Sequence, residues 1–476
     1  MRIFNQMKRM NSDSLRNPMG NDSRKHTEGV ERRKPGMAAA ICLILATISM
    51  EAYGSDPTMD DRDRKIQNLE QMVKQLSKEV QALKQGRSQE KPSLYEQEQE
   101  KVLAELRQEI DQIKDSRALD INSWVNRFSF GGYGEMHANF GEGDTADVFD
   151  IHRLVLYLGY DFADWIQFHS ETEIEHAFVS DDSGGELSME QAYVDFLLVP
   201  EANIRVGRIL TPMGIVNQKH EPPYFNGVER PSFAKYIIPT TWPSDGVGVF
   251  GSLHPELQYE VYVVGGLDGS EFSAKNGIRS GRIKERPSLH EPAFTGRVDW
   301  SPLINSEPTV EQELRFGFST YLGGIDNGNQ GKDPGIDGDI HMYSADFEYS
   351  ISRFDFRGVI ADIRIDGARE IGNGTAEEIF GFYVEGGYHF WCDSWKQGKL
   401  KHADAVVFVR YDDFDTQHDM PGGIKGNPVY DRNEWTLGIN FYPVPQFVIK
   451  ADYQIRDNAS SEDVDNLLNL GVGWVF

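Results

Sequence analysis

From Phe128 to Phe476 apolar side chains recur at every second position, the period of extended strands with one apolar face. In 128–140 one parity reads Phe128, Phe130, Gly132, Gly134, Met136, Ala138 and Phe140. The other reads Ser129, Gly131, Tyr133, Glu135, His137 and Asn139. The alternation returns at Leu154, Leu156, Leu158 and Tyr160, at Leu314, Phe316 and Phe318, and at Phe447, Ile449, Ala451, Tyr453 and Ile455. A two-sheet sandwich alternates in the same way, so no single strand decides the fold. Number and connection do. Sixteen candidates begin near Phe128, Phe149, Trp165, Leu187, Asn203, Gly246, Leu257, Phe294, Glu313, His341, Phe354, Ile379, Ala403, Asn433, Phe447 and Asn466. Short connections (163–164, 199–202, 254–256, 351–353, 444–446) alternate with long ones (213–245, 267–293, 324–340, 413–432), although 302–312 and 392–402 exceed a tight turn. An even number of strands joined this way predicts an all-β fold, an antiparallel transmembrane β-barrel of about 16 strands over 127–476, wide enough for a water-filled lumen.

The segment ahead of the barrel has a different period. Arg32, Arg33 and Lys34 precede the apolar stretch 38–48, with Ser49 and Ala52 after it, the order of a secretory signal peptide. Residues 1–52 are therefore expected to be an N-terminal extension and signal, whose removal takes Cys42 and leaves Cys392 as the single cysteine. Ile66, Leu69, Val73, Leu76, Val80 and Leu83 then follow a three–four spacing, and Leu103, Leu106, Ile110 and Ile113 repeat it. That is an α-helical coiled-coil seam within 60–118, either self-associating or lying as a single charged helix at the barrel rim. After residue 60 no apolar run approaches the ~20 residues of a membrane helix. A net charge of −27 argues against nucleic acid as a partner.

At the other end, Leu468, Leu470, Val472, Trp474 and Phe476 share one parity, and this terminal aromatic resembles the signal read by the outer-membrane barrel-insertion machinery. Within 128–251 the motifs Phe130-Gly131-Gly132-Tyr133-Gly134-Glu135, Glu171-Thr172-Glu173-Ile174-Glu175-His176-Ala177 and Glu190-Gln191-Ala192-Tyr193-Val194-Asp195 are followed by His220-Glu221-Pro222-Pro223. Then come Gly227-Val228-Glu229-Arg230-Pro231 and Ile237-Ile238-Pro239-Thr240-Thr241-Trp242. Together they resemble the phosphate-selective porin O and P family and related bacterial porins. The resemblance covers roughly a quarter of the chain. It implies a homotrimeric passive diffusion channel in the Gram-negative outer membrane, surrounded by lipid and lipopolysaccharide, with the N-terminal segment in the periplasm. Small polar or ionic solutes are the expected cargo, with anions such as phosphate among them; the alternative is an envelope protein that tethers the outer membrane through its coiled coil.

With the apolar parity outward, the inward set mixes signs. Lumen-lining residues are expected at Arg153, Glu171, Glu173, Arg297, Arg315, Arg410, Lys450 and Arg456, as a transverse field or as mutually paired ions. The third long connection, 213–245, holds Pro222, Pro223, Pro231, Pro239 and Pro243, which stiffen it and exclude it from a central strand. Folded inward, it would place Lys219, His220, Glu221, Glu229, Arg230 and Lys235 at a pore constriction; folded outward, it would be an extracellular flap. Enzymatic signatures such as G-x-S-x-G, H-E-x-x-H and a phosphate loop do not occur. No enzyme activity, cofactor or metal is expected. Glu171, Glu173 and Glu175 on one strand face could take calcium, while His152, His169, His176 and His389 lack ligand spacing.

Overall fold

The computed structural model describes 126–476 apart from 144, 178, 180–183, 304–310, 331, 333 and 334, together with Lys74, which is helical. The chain divides into two units, Met1–Arg117 and Ala118–Phe476. The expected signal peptide lies outside the described residues, as does the coiled coil apart from Lys74.

The second unit is a closed barrel of sixteen strands in sequence order. They are β1 (Phe128–Gly141), β2 (Val148–Ala163), β3 (Ile166–Glu175), β4 (Leu187–Val199), β5 (Ala202–Leu210), β6 (Pro243–His254), β7 (Leu257–Gly265) and β8 (Pro292–Trp300). The circuit continues with β9 (Gln312–Gly324), β10 (Asp339–Ile351), β11 (Phe354–Ile365), β12 (Glu378–His389), β13 (Asp404–Asp419), β14 (Asp431–Val444), β15 (Phe447–Asn458) and β16 (Leu467–Val475). Every pairing is antiparallel, and β16 returns to β1 with Trp474 opposite Gly134. Gly132 and Phe476 exchange backbone bonds of 2.9 and 3.0 Å across the seam, so the last residue helps to close the wall. Closure leaves no sheet edge unpaired. The largest offset from the expected starts is at Gly246, where β6 begins at Pro243.

The outward parity carries an apolar belt. Phe130, Phe318, Val247, Leu437, Ile439 and Leu470 are all exposed, as a lipid-facing surface requires. Near the short turns aromatic rings crowd this face, with Phe128 and Tyr160 4.7 Å apart and Phe354 and Tyr388 5.0 Å apart. Nearer the long loops Tyr411 lies beside Trp435 at 4.7 Å, the two rings tilted. Two aromatic girdles thus bracket the belt.

Beyond the second girdle the apolar side changes. On β11, Asp362 and Arg364 point outward as an ion pair of 2.9 Å, while Val359, Ala361, Ile363 and Ile365 point in and are buried. β10 and β12 follow with Ile340, Met342, Ile379 and Tyr383 inside. Polar-inside therefore holds only at belt height. Above it the strands stand in water and bury their apolar side against loops. The core there joins these residues to Leu267, Phe272 and Ile278 between β7 and β8, and to Ile325, Ala368 and Ala376 of later loops.

Candidate pore constriction

The largest contribution to that core comes from the third long connection, 211–242. Its apolar residues Ile215, Val216, Phe225, Val228, Phe233, Ile237, Ile238 and Trp242 are too many for a loop lying in water, and all are buried. Each gains about 1.5–3 kcal/mol from burial, and the barrel interior is where they find it. Phe233, which opens the four-residue helix α1 (Phe233–Tyr236), packs 5.7 Å from Tyr383, and Trp242 lies 5.0 Å from Tyr321. The wall is cut to receive the loop: a Cβ on Gly473 would meet Pro222 at 2.3 Å, and one on Gly471 would meet Val228 at 2.9 Å. Gly227 turns the chain with φ +82°, a region that favours glycine. At the neck Asn217 donates to the Thr211 carbonyl at 2.7 Å and accepts from Trp242 N at 2.9 Å, pinning the two ends together.

Hydrogen bonds fasten the loop around the lumen. Asn226 donates to Glu385 of β12 at 2.9 Å, Ser232 to Glu434 of β14 at 2.5 Å and Val228 N to Asp452 of β15 at 2.6 Å. Arg357 of β11 donates to the Tyr224 carbonyl and Arg297 of β8 to that of Gly214, at 2.8 and 3.1 Å. Buried backbone groups of an irregular segment need such partners.

The expected constriction residues divide. Lys219 is exposed and pairs with Glu348 of β10 at 2.6 Å. Glu221 is half-buried within 3.5 Å of the Tyr157 hydroxyl. Glu229 faces His137 and Asn139 of β1, each at 3.0 Å. Arg230 turns back onto its own loop, donating to the His220 carbonyl and Thr240, at 3.1 and 3.3 Å. Lys235 is exposed beside the Tyr236 ring. His220 is 2% exposed, its Nε2 3.4 Å from Glu171 and 3.6 Å from Glu190. Burial opposes a charge there, but the two carboxylates outweigh it and raise the pKa to about 10.

The lumen-wall residues all point inward, and most are paired. Arg153 holds Glu135 at 2.6 Å and Glu173 at 2.9 Å. Arg297 holds Asp346 and Asp299, each at 2.8 Å. Arg410 holds Asp412 at 2.9 Å and is wholly buried. Lys450 is sealed beneath the loop, donating to the carbonyls of Phe225 and Gly227 at 2.9 and 2.7 Å, and so does not face an open passage. Arg456 lies near the loop mouth, bonded to the Asp465 carbonyl at 2.7 Å. The charges that reach solvent beside the loop gather on β8–β10: Asp299, Arg315 and Glu348 with Lys219. Glu348 and Asp346 were missed in the sequence, although they alternate with Phe347 and Tyr349 and so declare an inward parity. On the turn side of the loop a cavity of about 520 Å³ is lined by Tyr224, Asp355, Arg357, Lys396, Lys401 and Asp404 among others.

Two histidines judged to lack ligand spacing are brought together by the fold. His152 and His176 lie 3.2 and 2.6 Å from Asp150 near the loop-side mouth, because β2 and the end of β3 are neighbours in the wall.

No family model matches the chain. Among solved structures it is similar to OmpF of Salmonella typhi, with a TM-score of 0.48 at 12% identity over 73% of this chain and 97% of that one. It is similar also to OprB of Pseudomonas putida, with a TM-score of 0.47 at 12% identity over 75% and 96%. An anion-selective porin from Comamonas acidovorans gives a TM-score of 0.47 at 11% identity over 73% and 99%. In sequence, a protein of Aquifex aeolicus (strain VF5) described as uncharacterized is 32% identical over 370 residues, 73% of this chain and 80% of that protein. The chain belongs to the same family as this Aquifex aeolicus protein.

Proposed function

We infer that the chain is an outer-membrane porin, a passive diffusion channel for small polar and ionic solutes. The observation that carries this reading is the closed sixteen-strand barrel, apolar outside at belt height, with solvent-exposed charged groups beside an inward loop. On this reading lipid and lipopolysaccharide surround the belt and the long loops face outward. The turns and the N-terminal coiled coil face the periplasm, and three copies assemble, as the resemblance to the porin O and P family implies. The inward loop is the constriction, with Lys219 and Glu221 closest to the solute path. Anions, phosphate included, are the finer reading. They are favoured by the exposed Lys219 and Lys235 on the loop and by Arg357, Lys396 and Lys401, which outnumber Asp355 and Asp404 around the turn-side cavity. Planar-bilayer recording of purified, folded protein tests this directly. Ohmic current steps with a reversal potential displaced towards the anion are expected. A folded, inserted barrel that carries no current would leave a structural role in the envelope, with the coiled coil as a tether.

A further inference from the structure

Glu171 and Glu190 form a buried carboxylate pair that no lysine or arginine ion pair reaches among the described residues; the cationic side chain paired with both is His220 of the inward loop. Glu190 owes its direction to a β-bulge: β3 and β4 pair Glu171 with Gln191 and then Thr172 with Met189, passing over Glu190. A bulge re-aims a side chain, and here it turns Glu190 inward beside Glu171. Glu171 is 2% and Glu190 3% exposed. Gln191 donates to Glu171 Oε2. No group among the described residues stands within 3.5 Å of either Glu190 oxygen in hydrogen-bonding geometry, and the groups that act on it are His220, 3.6 Å away, and the Glu173 carboxyl. A buried carboxylate with no hydrogen bond is costly unless a cation lies against it, and here that cation is either the His220 imidazolium at 3.6 Å or an ion in its place. The Arg153 guanidinium, whose charge also acts on Glu190, is already engaged by Glu135 and Glu173.

The third member comes from the inward loop. His220 Nδ1 lies 3.1 Å from the Asn217 carbonyl, which can only accept, so Nδ1 carries the proton in that bond. In the neutral ring this leaves the Nε2 lone pair directed at the two carboxylates, 3.4 Å from Glu171 Oε1 and 3.6 Å from Glu190 Oε2. One ligand atom from each of the three residues falls within 4.8 Å of the others. Bonds of ~2.0–2.1 Å arranged tetrahedrally hold their donor atoms about 3.4 Å apart. The imidazole fixed by a carbonyl on its other nitrogen is the usual outer support of a metal-bound histidine. Tyr133, whose ring is 5.8 Å from that of His220, also has a buried hydroxyl without a partner.

We propose that Glu171, Glu190 and His220 bind a divalent first-row transition cation that fastens the inward loop to the β3–β4 wall. A donor set of one imidazole nitrogen and two carboxylates suits zinc, manganese or ferrous iron rather than the all-oxygen shells of calcium and magnesium. The ion replaces the proton that His220 would otherwise hold between the two glutamates and adds one further positive charge to the cluster. The Asp150–His152–His176 group differs in being partly exposed, so water can solvate its members. The proposal concerns binding and does not depend on conduction.

The test is made on the full chain, folded in detergent, stripped with a chelator and titrated with Zn²⁺ or Mn²⁺. About one equivalent per chain should remain after gel filtration, and thermal unfolding should shift upward with the ion. Glu190→Gln, which preserves shape, should weaken Zn²⁺ binding at least tenfold, as should His220→Gln, whereas His176→Gln should leave it unchanged. Co²⁺ should give visible absorption of tetrahedral intensity in wild type and lose it in Glu190→Gln. Both variants must retain the β-sheet circular dichroism of the parent, and the wild-type cobalt spectrum stands even if one of them does not fold. Absence of stoichiometric Zn²⁺ or Mn²⁺ from the wild type overturns the proposal. So does binding that survives Glu190→Gln but is lost in His176→Gln.

Discussion

Lys219→Glu is the substitution that most sharply probes the inward loop. The ammonium sits 2.6 Å from Glu348, with half of its side chain in solvent, so on the channel reading its charge acts on any ion that passes. Arg315 also holds Glu348, at 2.8 Å, so the carboxylate keeps a partner and the local geometry should survive. For a monovalent ion passing at about 5 Å, one unit charge contributes ~0.8 kcal/mol in water, and physiological salt roughly halves this. Changing +1 to −1 therefore raises the barrier for an anion by about 0.9 kcal/mol and lowers that for a cation by as much. The anion-to-cation permeability ratio should fall roughly twentyfold. The assay is the reversal potential of a purified channel in a planar bilayer under a salt gradient. Lys425→Glu, on an exposed segment between β13 and β14, serves as the control for net charge. A shift in Lys219→Glu no larger than that in Lys425→Glu would refute the placement of Lys219 beside the ion path.

Trp242→Ala removes a ring buried against Tyr321 and should lower stability by about 3–5 kcal/mol, measured by denaturant unfolding in detergent. Gly473→Leu drives a side chain into Pro222 and should cost about 1–3 kcal/mol. It should also open 211–242 to protease, whereas Val472→Leu on the lipid side should do neither. Arg153→Met removes the cation that holds Glu173 and leaves Glu135 with His137 alone in a buried site, and should cost about 3–5 kcal/mol. Arg364→Met breaks an exposed pair and should change stability by ~0–1 kcal/mol in the same unfolding assay.

The wall of this barrel is legible because lipid imposes one rule on every strand. The parity of Ile449, Ala451 and Ile455 against Lys450, Asp452 and Gln454 separates outside from inside without any tertiary knowledge. The rule fails where lipid ends. Val359, Ala361, Ile363 and Ile365 are an apolar parity that nonetheless turns in, because the same strand has risen into water and packs on loops. The prolines of the third connection marked it as stiff, but its course depends on Phe233, Ile237 and Trp242 finding apolar partners on distant strands. The complementary trace lay in β16, where Gly471 and Gly473 occupy successive inward positions and leave space for Val228 and Pro222. Pairing was the least legible feature. Which carboxylate holds Arg297 or Arg410 depends on register between strands, and the inward turn of Glu190 depends on a bulge that a two-residue period does not reveal.

The most direct measurement is single-channel current through Lys219→Cys before and after reaction with a bulky charged methanethiosulfonate. It is made in a Cys392→Ser background so that no other described cysteine reacts. A thiol on the inward loop beside the solute path should be modified from the aqueous phase, and each modification should lower the current in a discrete step. Complete labelling, verified by mass, with unaltered current would contradict a constriction formed by this loop.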